Sequence, residues 1–322
     1  MKYKIVLLAV LLSAGIVLLA ANGVENSTKN PLQVALLHWY SANQVPTQFT
    51  AGGYSAALAF DGDSMWVTNA GSNSFNVMKF RASDGTLLGT YPAGSVPSGI
   101  AFDGANMWVS NQASNNLMKF RASDGALLGT YTVGTNPLGV AFDGSSIWVA
   151  NELSNNVSKV RASDGAILGN FPVGTSPVGL AFDGTNLWVA NAGSNNVTKL
   201  SLSGTNLGNF AVGTTPEYLA FDGVKIWVAN FGSNNVTVLN SAGKTLGTVP
   251  VGQNPLGIAF DGAYMWVANH GNDTVTKLSV SNGQPQGTFA VGHDPWGVAY
   301  DGAHIWVANQ SVCCSAGTLS KL

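Results

Sequence analysis

The chain has 322 residues, 9% of them charged, with a formal net charge of −2 and 39 glycines. An average domain carries about 25% charged residues, so the polar surface here is neutral and rests on Gly, Ser, Thr and Asn. With no basic block, the electrostatic footprint that a phosphate backbone requires is missing, which excludes nucleic acid as a partner.

In chain order, Lys2 and Lys4 precede an apolar run from Ile5 to Ala21 that ends in small residues near Gly23. This pattern predicts a signal peptide or an uncleaved N-terminal anchor over residues 1–23, and so an exported protein, periplasmic, extracellular or at the cell surface. Contact with a membrane is expected only through such an anchor. Residues 24–45 read as a linker with one short helix, because Asn30 suits an N-cap and Pro31 the first helical position. Two cysteines, Cys313 and Cys314, are too few for a disulfide framework. They allow either a strained vicinal ring, or two free thiols or an intermolecular bridge in a closing loop.

From residue 46 to 322 one unit recurs. Trp66, Trp108, Trp148, Trp188, Trp227, Trp266 and Trp306 are spaced by 42, 40, 40, 39, 39 and 40. Each unit predicts four short strands, as in GVAFDG (139–144), IWVAN (147–151), VSKVRASDG (157–165) and AILGNFPVG (166–174). The Asp-Gly pairs are hairpin signals, because a tight turn needs φ > 0 and glycine accepts it. Four-stranded units at a period near 40 predict an all-β, seven-bladed β-propeller. The last unit stops one strand short, and PTQFTAGG (46–53) matches GTFAVG (287–292) of the sixth. The N-terminal strand is therefore expected to complete the last blade and close the ring, removing a free edge.

A repeat is its own control: a residue present in every unit serves the blade, whereas one that occurs once needs another reason. The turn aspartates (Asp61, Asp103, Asp143, Asp183, Asp222, Asp261, Asp301) read as ties to their own turn backbone. The asparagines ending the second strands (Asn69, Asn111, Asn151, Asn191, Asn230, Asn269, Asn309) read as tolerating left-handed loop backbone. The exceptions gather on the face bearing the inter-blade loops and the loops between second and third strands, called the top here. Glu217 and Tyr218 replace an apolar-Gly pair, Trp296 follows His293 and Asp294, and Phe231 and His270 follow their strand-closing asparagines. His270 and His293 are expected to approach each other, with Glu217 one blade further round. His304 belongs to a bottom hairpin with Asp301, roughly 15 Å or more from His293, and cannot share a ligand with it.

Trp66-Val67-Thr68-Asn69 differs by one residue from Tyr-Val-Thr-Asn, and the span 46–322 resembles the YVTN/NHL-type propeller repeats of exported bacterial proteins. The same superfamily includes the streptogramin (virginiamycin B) lyases, metal-dependent propellers that open a cyclic depsipeptide by C–O elimination. The resemblance implies a His at the start of an inner strand, but the matching positions are Ala56, Ser98, Leu138, Val178, Glu217, Leu256 and Trp296. The expectation is a binding or interaction module. Its top face, with Glu217, Tyr218, Phe231, His270, His293, Asp294 and Trp296, would receive a protein, glycan or small molecule without a cofactor. The alternatives are a lyase-like enzyme holding a divalent metal at that face through His270, His293 and a carboxylate, and a structural surface-layer component.

Overall fold

A computed structural model describes residues 47–71, 75–310 and 316–322. The signal, the linker helix, Pro46, Cys313 and Cys314 lie outside the described residues. The described chain forms seven four-stranded antiparallel sheets. Blades one to six take residues 55–92, 97–132, 137–172, 177–211, 216–250 and 255–290 in order. Blade seven combines three strands of residues 295–321 with Thr47–Thr50, which pairs with Thr318–Lys321 in the register Thr47↔Lys321 to Thr50↔Thr318. The ring is closed as expected, by pairing the first strand with the last.

Each blade orders its strands from the axis outward. In blade three the sequence is Pro137–Phe142, Ser146–Asn151, Asn156–Arg161 and Ile167–Pro172. The second strand is buried at every position because neighbouring blades cover both faces of the sheet, so alternation gives way to continuous SIWVAN. The hydrophobic cores accordingly lie between blades: Trp148 and Val157 of blade three pack on Leu187, Val189 and Leu200 of blade four. Innermost strands crowd at the axis. A Cβ on Gly257 would overlap the Trp296 carbonyl of the next blade, so glycine there sets how closely the strands approach.

The bottom hairpins hold each blade together. Asp103 Oδ1 accepts from the amides of Ala105 and Asn106 at 2.9 and 2.6 Å, while Oδ2 accepts from the Trp108 indole N–H at 2.7 Å. All seven aspartates accept from the tryptophan of their own blade in this way. The asparagines ending the second strands serve differently from expectation. All seven are completely buried, and Asn230 and Asn269 have φ of −105° and −102°, an extended backbone. Their side-chain amides are needed inside the blade, as when Asn191 Nδ2 donates to Asn196 Oδ1 and Thr198 Oγ1 at 2.8 and 2.9 Å. The left-handed non-glycine residues are instead Asn115, Asn155, Asn195, Asn234 and Asp273, just before the third strands, and Val96, Asn136, Ser176, Thr215, Asn254 and Asp294, just before the first.

Candidate functional site

The top face is organised by one bond repeated in every blade, from the amide after the strand-closing asparagine to a carbonyl of the loop entering the same blade. Glu152 N–H donates to Asn136 O at 3.1 Å, Phe231 to Thr215 O at 2.9 Å and His270 to Asn254 O at 3.2 Å. This pins seven variable residues around the axis on a single face. Three of the sequence-selected aromatics meet there. The His270 ring lies 6.4 Å from Phe231 of blade five and 5.7 Å, edge-on, from Trp296 of blade seven.

Beside them the axis holds a void of about 170 Å³, lined by Tyr218, Trp296 and the first halves of the inner strands, including Gly99, Gly139 and Gly257. Tyr218 stands in blade five where blades two, three, four, six and seven have Gly99, Gly139, Gly179, Gly257 and Gly297. His270 Nδ1 and Trp296 Nε1 are buried without a hydrogen-bond partner. Leaving a buried polar atom unpaired costs about 1–3 kcal/mol. The Oδ1 atoms of Asn151, Asn191, Asn230 and Asn309 are also unpaired, but they recur from blade to blade, whereas His270 Nδ1 and Trp296 Nε1 each occur once.

Glu217 is the second residue of the inner strand of blade five, Pro216–Phe221, and is half-buried. Burial, reinforced by the charge of Glu152, pushes its carboxyl up to about 7. Glu152 is held by the side-chain amide of Asn136. Burial also pushes the Tyr218 hydroxyl up to about 12. The nearby Trp296 indole opposes that shift and the Glu217 charge adds to it. Sequence reasoning passed over Glu152, which occupies the same post-asparagine slot as Phe231 and His270.

His293 and Asp294 do not join this group. His293 is 65% exposed, with Nδ1 2.9 Å from Asp273 Oδ2. Asp294 donates its amide to Asp273 Oδ1 at 2.9 Å. That second contact belongs to the repeat, since Asn115, Asn155, Asn195 and Asn234 accept the same amide in other blades at 2.8 or 2.9 Å. The anticipated approach of His270 and His293 is thereby replaced by two separate environments, one facing the aromatics and one facing solvent. His304 lies in the bottom hairpin, its Nδ1 3.5 Å from Asp301 Oδ2.

The donor set does not fit the divalent metal that the lyase alternative requires. Among the described residues no three His, Cys, Asp or Glu side chains converge on one point. His270 turns its ring toward aromatics, and His293 is engaged with Asp273.

No family model matches the chain, and no curated protein does. Among solved structures it is similar to one described as the streptogramin B lyase structure, with a TM-score of 0.71 and 16% identity over 86% of this chain and 97% of that one. It is also similar to Kuenenia stuttgartiensis hydrazine synthase, with a TM-score of 0.68 and 20% identity over 82% of this chain and 94% of that one. At such identities the likeness is one of fold: the chain is a seven-bladed β-propeller sharing its architecture with streptogramin B lyase.

Proposed function

We propose that this protein is a binding module that takes its ligand at the axial opening of the top face, over blades five to seven. The observation that carries the reading is the pair of partnerless buried nitrogens, His270 Nδ1 and Trp296 Nε1, beside a void of about 170 Å³. A ligand oxygen placed between them would restore hydrogen bonds that the fold leaves unmade. Export belongs to the same reading, supported by Lys2, Lys4 and the apolar run Ile5 to Ala21. Elimination of the streptogramin kind has the shared fold in its favour and the donor set against it.

The test is a thermal-shift panel of small polar compounds, including a streptogramin, on the wild type and a His270→Ala/Trp296→Ala double variant. A binder at a hundred times its Kd stabilises the native state by about 2.7 kcal/mol. The expected result is a compound that raises the wild-type midpoint and leaves the variant unmoved. Equal responses from both proteins would place binding elsewhere, and a linearised streptogramin in the reaction mixture would replace this reading with the enzymatic one.

A further inference from the structure

The repeat has one exception at the axis itself. Five blades bring a glycine to the same place in the inner strand, and each is there for packing. A Cβ on Gly99, Gly139, Gly179, Gly257 or Gly297 would come 2.1 to 2.5 Å from a carbonyl oxygen of the next blade. Blade one has Ala57 at this position, and blade five alone has a ring, Tyr218. Tyr218 packs on the core between blades five and six, leans over Gly179 of the preceding blade and also lines the void. A side chain of that size at the most crowded place in the fold needs a reason outside the repeat.

The lining shows what can enter. None of the residues around the void carries a charge, and apart from glycine, alanine and aliphatic side chains there are only Tyr218 and Trp296. An ionised group brought there would lose its water and gain no counter-charge, which costs far more than burying a neutral polar group. An apolar cavity of about 150 Å³ takes up benzene, so the volume of about 170 Å³ is room for one six-membered ring. Against Tyr218 a flat ring gains ring–ring contact that an aliphatic group of the same size does not. The glycines add wall without side chains, along which a flat ring can lie close.

We infer that the part of the ligand entering the axis is an uncharged aromatic ring stacked on Tyr218, and that Tyr218 is the residue selecting it. This rests on the axial opening being the ligand site, and it adds the chemical class. The ligand oxygen is then a substituent on that ring, and toward Trp296 it must accept, because an indole only donates.

Four probes separate flatness and charge from simple hydrophobicity: benzyl alcohol, cyclohexylmethanol, benzoate and benzylammonium, each titrated onto the full chain by ligand-observed NMR. Cyclohexylmethanol carries the same oxygen on a more hydrophobic ring, so desolvation alone would favour it. Benzyl alcohol is expected to bind the wild type at least about fivefold more tightly than cyclohexylmethanol, and at least about tenfold more tightly than either ion. Tyr218→Leu should erase the preference for the aromatic alcohol while keeping the native circular dichroism spectrum, whereas Tyr218→Phe retains the ring and should preserve it. Binding of cyclohexylmethanol or of either ion to the wild type as tightly as benzyl alcohol would overturn the class and leave the site standing. An aromatic preference unchanged in Tyr218→Leu would overturn the role of Tyr218. No binding of any of the four to the wild type would overturn both the class and the site.

Discussion

Glu217 and the turn aspartates give the protein opposite responses to pH. For Asp61, Asp103, Asp143, Asp183 and Asp301, burial raises the carboxyl, but the indole N–H and turn amides outweigh it and hold each below the ordinary 3.8. Stability from these groups is present above that value and is lost as pH falls through the depressed pKa. Glu217 is raised from 4.5 to about 7, so in that window the folded state keeps a proton that the unfolded chain releases. Its effect is a loss of stability as pH rises from 4.5 to about 7, worth up to about 3 kcal/mol. Urea midpoints at the two ends of this window should therefore differ in the wild type. In Glu217→Gln the difference should shrink by that amount, and an unchanged slope would show that Glu217 ionises normally in the fold.

At the scale of the element, lysine fastens blade to blade. Lys119 Nζ sits 4.9 Å above the Trp108 ring and donates at 2.7 Å to Ala162 O of blade three. Blade five lacks this lysine, since Val238 pairs with Trp227 in its third strand. Lys225, two residues before that tryptophan, reaches over its ring at 5.4 Å and donates to Val280 O of blade six. Lys119→Met should cost about 1–3 kcal/mol by chemical denaturation, from a charged hydrogen bond together with a cation–π contact. Lys225→Met should cost a similar amount, and adding Val238→Lys to it should recover most of the loss. No recovery would mean that the site cannot be supplied from the third strand. The turn glycines set a second element-level constraint. Gly125 has φ of 74°, and a Cβ there would overlap the Tyr91 ring of the preceding blade. Gly125→Ala is expected to lower the melting temperature more than Gly104→Ala, whose φ of 97° is equally unfavourable but whose surroundings are open.

For the whole molecule, the closure is a single four-residue strand, Thr47–Thr50, paired with Thr318–Lys321. Phe49 stacks on Trp306 with ring centroids 5.5 Å apart, and it lies against Gly85 of blade one. The strand therefore completes blade seven and covers the joint to blade one. Removing residues 47–53 would uncover the Thr318–Lys321 edge. The expected outcome is self-association on size exclusion and a broadened unfolding transition. A monomer that unfolds as sharply as the wild type would show that the remaining three strands suffice.

The sequence alone determined the blade count, the strand order and the mode of closure, because each is a repeated or missing unit and repetition shows without coordinates. It also singled out Tyr218, Phe231, His270, Trp296 and Glu217, since each breaks the repeat. The tertiary structure decided which of these meet. His293 and Asp294 also broke the repeat, yet Asp273 holds the exposed His293 and takes the Asp294 amide in a contact that other blades make with asparagine. Glu152 was hidden because its influence on Glu217 reaches from blade three to blade five. The lysine ring was hidden because its acceptors are backbone carbonyls some 43 residues along the chain. A carbonyl has no signature in the sequence, and which one a side chain meets is settled only when neighbouring blades are packed together.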